Sequence, residues 1–211
     1  MRSVFDIDGP VMSGVIKIFD CICLSVLWLL FSLPIITIGA SSTALYTAVH
    51  RYLRRGEGHL LNTFLGAFRE NFKRSTLVWL AAACVLAVLG TDAFVLRTMA
   101  LGGHPLGRLY WAALLLCCSA VTWTTYLFAY AARFNGRVKD VLRASFALMA
   151  FHPLRALGVF LPLLAGMLLV LTGPGWIAIA PAAVCLLNSF TLEKIFLLHM
   201  RPEDAQKTTK D

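Results

Sequence analysis

The chain has 211 residues, of which 59% are hydrophobic and 14% charged, with a formal net charge of +8. A soluble domain lies nearer half apolar and a quarter charged, so both departures argue against a soluble fold. The positive excess flanks long apolar blocks, where membrane topology alone accounts for it, and no nucleic-acid partner is expected.

The apolar blocks are each long enough to cross a hydrocarbon core of about 30 Å, which takes about 20 helical residues. The first runs roughly Ile16–Ile38, with Pro34 inside it to kink or end the helix. A signal peptide is the competing reading of this block, but the run is long and its leader carries Asp6, Asp8 and Asp20 beside only Arg2 and Lys17. After Gly39, Ser41 or Ser42 is placed to cap a new helix with Leu45, Ala48, Val49 and Tyr52 on one side and Gly56 as its stop. In His59–Arg74 the apolar residues Leu60, Leu61, Phe64, Leu65, Phe68 and Phe72 recur at helical spacing opposite a basic face that includes Arg69 and Lys73. That pattern suits a helix lying in the cytoplasmic membrane interface. The second span is roughly Ser75–Leu96 and the third Leu109–Phe134, joined by a turn-rich segment at Gly102–Pro105. An amphipathic stretch, Arg137–Phe151, leads through His152-Pro153 into the fourth span, Leu154–Leu171. The fifth, Trp176–His199, follows the turn Gly173-Pro174-Gly175. The reading is an all-α, polytopic membrane helix bundle of about five transmembrane helices with cytoplasmic amphipathic helices. It forms one membrane-embedded domain over 1–200, with the lipid bilayer as its surroundings and a polar cytoplasmic tail at 201–211.

Fifteen of the 19 basic residues fall in the connections after spans one and three and at the end of span five and its tail. Arg2, Lys17, Arg97 and Arg108 are the remainder. The positive-inside rule then assigns the N-terminus to the outside and the C-terminus to the cytoplasm of a multi-pass cell-membrane protein. Span, basic connection, amphipathic helix and span occur over 16–96 and again over 109–171, a weak echo that is either a parallel repeat or chance similarity between amphipathic helices.

The run Leu27-Trp28-Leu29-Leu30-Phe31-Ser32-Leu33-Pro34-Ile35-Ile36-Thr37-Ile38-Gly39-Ala40, followed by Ala44-Leu45-Tyr46, resembles the signature of the YesL family. These are small bacterial membrane proteins of unknown function. Phe5–Pro10, the stretch Phe64–Lys73 and His152-Pro153 extend the resemblance, so it covers nearly the whole chain. Ser25 departs from it, an asparagine being expected there in many members. The resemblance implies a setting beside sugar-uptake ABC transporters in Gram-positive bacteria, and it implies no catalytic residues.

The polar residues inside the blocks are the candidate contact residues: Asp20, Thr122, Thr125, Asn188 and Glu193, with Arg69 and Lys73 on the amphipathic helix. An ionisable residue at membrane depth is expensive and flags function. Asp20 can instead pair with Lys17 or reach water, and Glu193 can pair with an arginine of the third amphipathic helix. Asp20 is expected at the outer end and Glu193 at the inner end, about 30 Å apart, so the two are not a catalytic pair. The six cysteines lack metal-ligand spacing and read as packing residues, and no two histidines share ligand spacing on a helix. No phosphate loop, zinc-protease helix or nucleophile elbow is present, so no cofactor, metal or catalytic set is expected. The leading expectation is a non-enzymatic accessory or assembly partner of a carbohydrate-uptake ABC transporter. A small transporter or channel, as a homo-oligomer, is the alternative.

Overall fold

The computed structural model describes residues 10–134 and 136–199, and every regular element among them is helical. In chain order the α-helices are α1 (Pro10–Ser32), α2 (Ile38–Ala48), α3 (Leu60–Leu101), α4 (Tyr110–Arg133), α5 (Val138–Phe151), α6 (Pro153–Thr172) and α7 (Ala180–His199). Four stretches are long and apolar enough to cross a membrane: Gly14–Ser32 in α1, Leu60–Leu101, Pro105–Arg133 and Pro153–Thr172. The all-α membrane bundle read from the sequence therefore stands. The fifth predicted span is helix α7, whose 20 residues give a length of about 30 Å. Its middle stretch buries Asn188, Ser189 and Glu193. The start of the family-like N-terminal element and the tail at 201–211 lie outside the described residues.

Pro34 acts as the sequence implies. It has no N–H to donate and disfavours helix in the residue before it, so α1 ends at Ser32. A short 3-10 turn, Ile35–Thr37, then reverses the chain. The Thr37 hydroxyl lies 2.6 Å from the Phe31 carbonyl and 2.8 Å from that of Pro34, within reach of donating to either. Such carbonyls lack helical partners at a helix end.

Ser41 and Ser42 do not cap α2; they lie inside it and tie it to α1. Ser41 and Ser32 meet at 2.6 Å, and Trp28 Nε1 donates to Ser42 at 3.1 Å. After Ala48 the helix loosens into π-helical turns, Val49–Arg54, and the chain leaves through Gly56 at φ +72°, a left-handed conformation that favours glycine.

The helices pair as three antiparallel hairpins. In the first, Ser32 and Trp28 of α1 meet the start of α2, while Cys21 and Leu24 share a core with Leu45, Ala48 and Val49. In the second, Cys117 Sγ reaches the Leu89 carbonyl at 3.3 Å, and Arg74 donates to the Ala131 carbonyl. In the third, Gly158 lies beside Thr191 and Gly166 beside Val184. Six alternating legs bring the end of α7 back to the end of the bundle at which α1 starts. The missing leg in the sequence reading is α2 with its π-helical turns. This also removes the parallel repeat, since α1 runs with α3 and α6 whereas α4 runs with α2 and α7.

The stretch His59–Arg74 is not a separate interfacial helix. It is the first part of α3, a continuous helix of 42 residues, about 63 Å long and twice the hydrocarbon thickness. Its apolar face meets protein: Phe64 and Ala67 are buried in the core of the α1–α2 hairpin, and Phe31 packs on Phe64 and Phe68 with ring centroids at 5.7 and 4.8 Å. The corresponding junction between α5 and α6 does break, because Pro153 cannot continue the hydrogen-bond ladder of α5.

Ser25 supplies a cap from a distance. Its buried hydroxyl accepts from the Ala182 N–H at 3.1 Å, an otherwise orphaned donor in the first turn of α7, and donates to the Ile179 carbonyl at 3.4 Å. Ser25→Ala is expected to destabilise the protein by about 1–2 kcal/mol, the usual worth of a cap. Ser25→Asn, which keeps an oxygen acceptor, should cost less. Thermal unfolding of the purified protein in mild detergent measures both, and equal melting temperatures for wild type and Ser25→Ala would remove the cap from the account.

Candidate functional site: a buried charge cluster beside an apolar cavity

Tyr46, His50 and Arg54 stand four residues apart and so form one stripe along α2 and its π-helical continuation. The stripe faces α7. Glu193 Oε1 accepts from the Tyr46 hydroxyl at 3.3 Å and lies 3.2 Å from His50 Nε2, while Glu193 Oε2 pairs with Arg133 Nη2 at 3.2 Å. Arg54 Nη1 donates to the Ser189 carbonyl at 3.1 Å, with its guanidinium 4.5 Å above the Phe190 ring. The Glu193 and His50 side chains are each 7% exposed and that of Arg133 15%, so the carboxylate is held by partners from α2 and α4 rather than by water.

The histidine gives the cluster two hydrogen-bonded arrangements. His50 Nε2 also lies 3.4 Å from Arg133 Nη1. With a proton on Nε2 it donates to Glu193; without one it accepts from Arg133. One proton at this atom therefore changes which helix His50 is bonded to.

Beside the cluster lies a cavity of about 540 Å³, within the roughly 300–1,000 Å³ range of small-molecule sites. Trp28, Ser42, Tyr46, Trp79 and Phe128 line it, and α6 contributes Leu163, Gly166 and Val170. Thr124, Thr125 and Asn188 are the polar groups contributed by α4 and α7. Asn188 is 1% exposed, and among the described residues neither its amide nitrogen nor its amide oxygen has a hydrogen-bond partner.

The predicted candidates thus divide. Thr125 and Asn188 meet at the cavity, and Glu193 forms the cluster next to it. Thr122 is buried but donates to its own helix, at Cys118 O, 2.9 Å away. Arg69 and Lys73 are exposed on α3 and join neither feature. Glu193 pairs with Arg133 of α4 and with His50, not with an arginine of α5. Asp20 lies near the Tyr52 hydroxyl, two residues from His50. Asp20 and Glu193 are therefore not at opposite ends of the bundle, because α2 turns back beside α1 and brings the two carboxylates to one end. The cluster members missed in the sequence are Tyr46, His50 and Arg133. The stripe spacing of Tyr46, His50 and Arg54 was the available signal.

A family model described as a protein of unknown function, DUF624, matches residues 21–93, from within α1 to within α3. The match carries the Pro34 turn, Tyr46 and His50, and it points to an uncharacterised family. No curated protein and no solved structure matches the chain.

Proposed function

We propose that the protein is a non-enzymatic integral membrane protein that serves as an accessory or assembly partner of a carbohydrate-uptake ABC transporter. The observation that carries the contact role is the first part of α3. One of its faces is locked onto the α1–α2 hairpin through Phe64 and Ala67, and the other presents Arg69, Glu70 and Lys73 to the outside. Because this part continues into a membrane span without a break, it is a rigid charged arm. The buried charges, by contrast, are engaged with one another. The kind of partner comes from the YesL-like resemblance. By the positive-inside rule the end of the bundle that carries Arg51, Arg54, Arg55 and Arg133 faces the cytoplasm. Because α2 returns beside α1, the start of α1 lies on that side with the end of α7, in place of the outside position expected for the N-terminus from the sequence.

The test is purification of the tagged full-length chain from its native membranes in mild detergent, with co-purifying proteins identified. Transporter subunits are expected in near-stoichiometric amounts. Arg69→Glu with Lys73→Glu should reduce them at least fivefold at unchanged abundance. Recovery of the chain alone would sink the accessory reading.

One observation favours the alternative, a small oligomeric transporter. The hydroxyls of α4 and the amide of Asn188, the polar groups a pathway would need, line a single cavity. Solute flux into proteoliposomes that contain the purified chain alone separates the two readings.

A further inference from the structure

We propose that the cavity between α2, α3, α4, α6 and α7 is the binding site of a neutral, single-tailed lipid whose polar head hydrogen-bonds to Asn188. The inference does not depend on the transporter partner. Its starting point is the Asn188 amide, 1% exposed at the cavity wall with both polar atoms unsatisfied. A buried polar group without a partner costs about 1–3 kcal/mol, so an amide held here is explained by a group that it meets.

The lining specifies that group. Among the described residues, no charged side chain lines the cavity. An ionised head placed there would lose its hydration without a counter-charge, which strongly disfavours it. The asparagine amide offers donors and an acceptor with no net charge, matching a hydroxyl or ester head. Ser42, Thr124 and Thr125 add hydroxyls, and the rest of the wall, including Trp28, Trp79, Leu86, Val170 and Ile177, is apolar. A sugar would leave most of its hydroxyls facing that wall. A hydrocarbon tail would not.

Size separates a lipid from a partner helix. A helix is at least about 10 Å across, so 540 Å³ accommodates little more than one turn of it. Asn188 lies near the middle of α7, and the apolar wall reaches Ala180 at the start of that helix and Ile177 in the turn before it. The head is thus held at mid-depth and the tail points toward the α6–α7 turn.

The test uses 1-monooleoylglycerol as the probe and the full-length chain in mild detergent, with native mass spectrometry as the readout. One molecule per chain is expected, with saturation. Asn188→Leu should weaken binding at least tenfold while leaving the ligand-free melting temperature unchanged or higher, since it removes an unsatisfied amide. Thr125→Phe, which fills the cavity from α4, should weaken binding to a similar degree and decides the matter alone if Asn188→Leu does not accumulate. Oleate anion should bind more weakly than the neutral ester. Equal binding by wild type and both variants, adsorption without saturation, or a preference for oleate would each overturn the proposal.

Discussion

Replacing Glu193 with alanine is expected to destabilise the folded protein by about 3 kcal/mol, the lower end of what breaking a buried ion pair costs. The loss is not the loss of an attraction alone. It leaves the Arg133 guanidinium, whose side chain is 15% exposed, among Tyr46, His50 and the helix core with no carboxylate to face. In a membrane protein that uncompensated charge is harder to relieve than in water. Arg133→Met should be comparably harmful for the mirror reason, since Glu193 then keeps only the uncharged Tyr46 hydroxyl and the His50 ring. The double variant Arg133→Met/Glu193→Met removes both charges and should recover most of the loss. Glu193→Gln keeps a side-chain oxygen for Tyr46 without the charge and should fall between. Thermal unfolding in mild detergent, followed by size-exclusion chromatography, ranks the four. If Glu193→Ala unfolds within about 0.5 kcal/mol of wild type, the cluster does not hold the hairpins together, and its geometry belongs to another role.

The ranking bears on how far this fold can be read from sequence. The long helices are legible because their apolar blocks are uninterrupted, and the reversal at Pro34 is legible because proline removes a donor. Helix α2 is not legible as a leg of the bundle. It is short and rich in small and hydroxyl residues, and it ends in arginines, so in sequence it reads as a basic connection. Its burial comes from three other helices, two of them far along the chain: the neighbouring α1 on one side, Ser75 and Trp79 of α3 on another, and Glu193 of α7 on a third. The same gap displaced Asp20, which reads as an outer-end residue only if α1 is not followed by a returning helix. Counting basic residues has a related blind spot. Arg54 and Arg133 add to the positive connections, yet in the structure they bind Ser189 and Glu193. At the cavity, sequence supplied the right polar residues but not their meeting, because Thr125 and Asn188 are 63 positions apart and face each other only through the packing of α4 and α7.

Gly39→Ala is the second substitution with a large expected effect. Gly39 is buried where the start of α2 crosses α3, and a β-carbon there would sit 2.5 Å from the Ser75 carbonyl oxygen and against the β-carbon of Trp79. Both obstacles belong to α3 close to its backbone, so no flexible side-chain tip can move aside. Trp79 is further held by donating its Nε1–H to the Ile35 carbonyl at 2.8 Å. The two helices would have to separate, opening the contact that positions the Pro34 turn and, through α2, Tyr46 and His50. Overpacking of this kind costs about 1–3 kcal/mol and more where the backbone must shift. Alanine's better helix propensity returns up to about 1 kcal/mol, so the net sign is decided by the clash. Gly66→Ala isolates that propensity term. Gly66 is also inside a helix, but a β-carbon there meets nothing within 4 Å. It should therefore be neutral or stabilising, while Gly39→Ala lowers the melting temperature and the yield of monodisperse protein. Equal stability of the two variants would mean that α2 and α3 are not packed backbone to backbone, and the placement of His50 against Glu193 would lose its structural support.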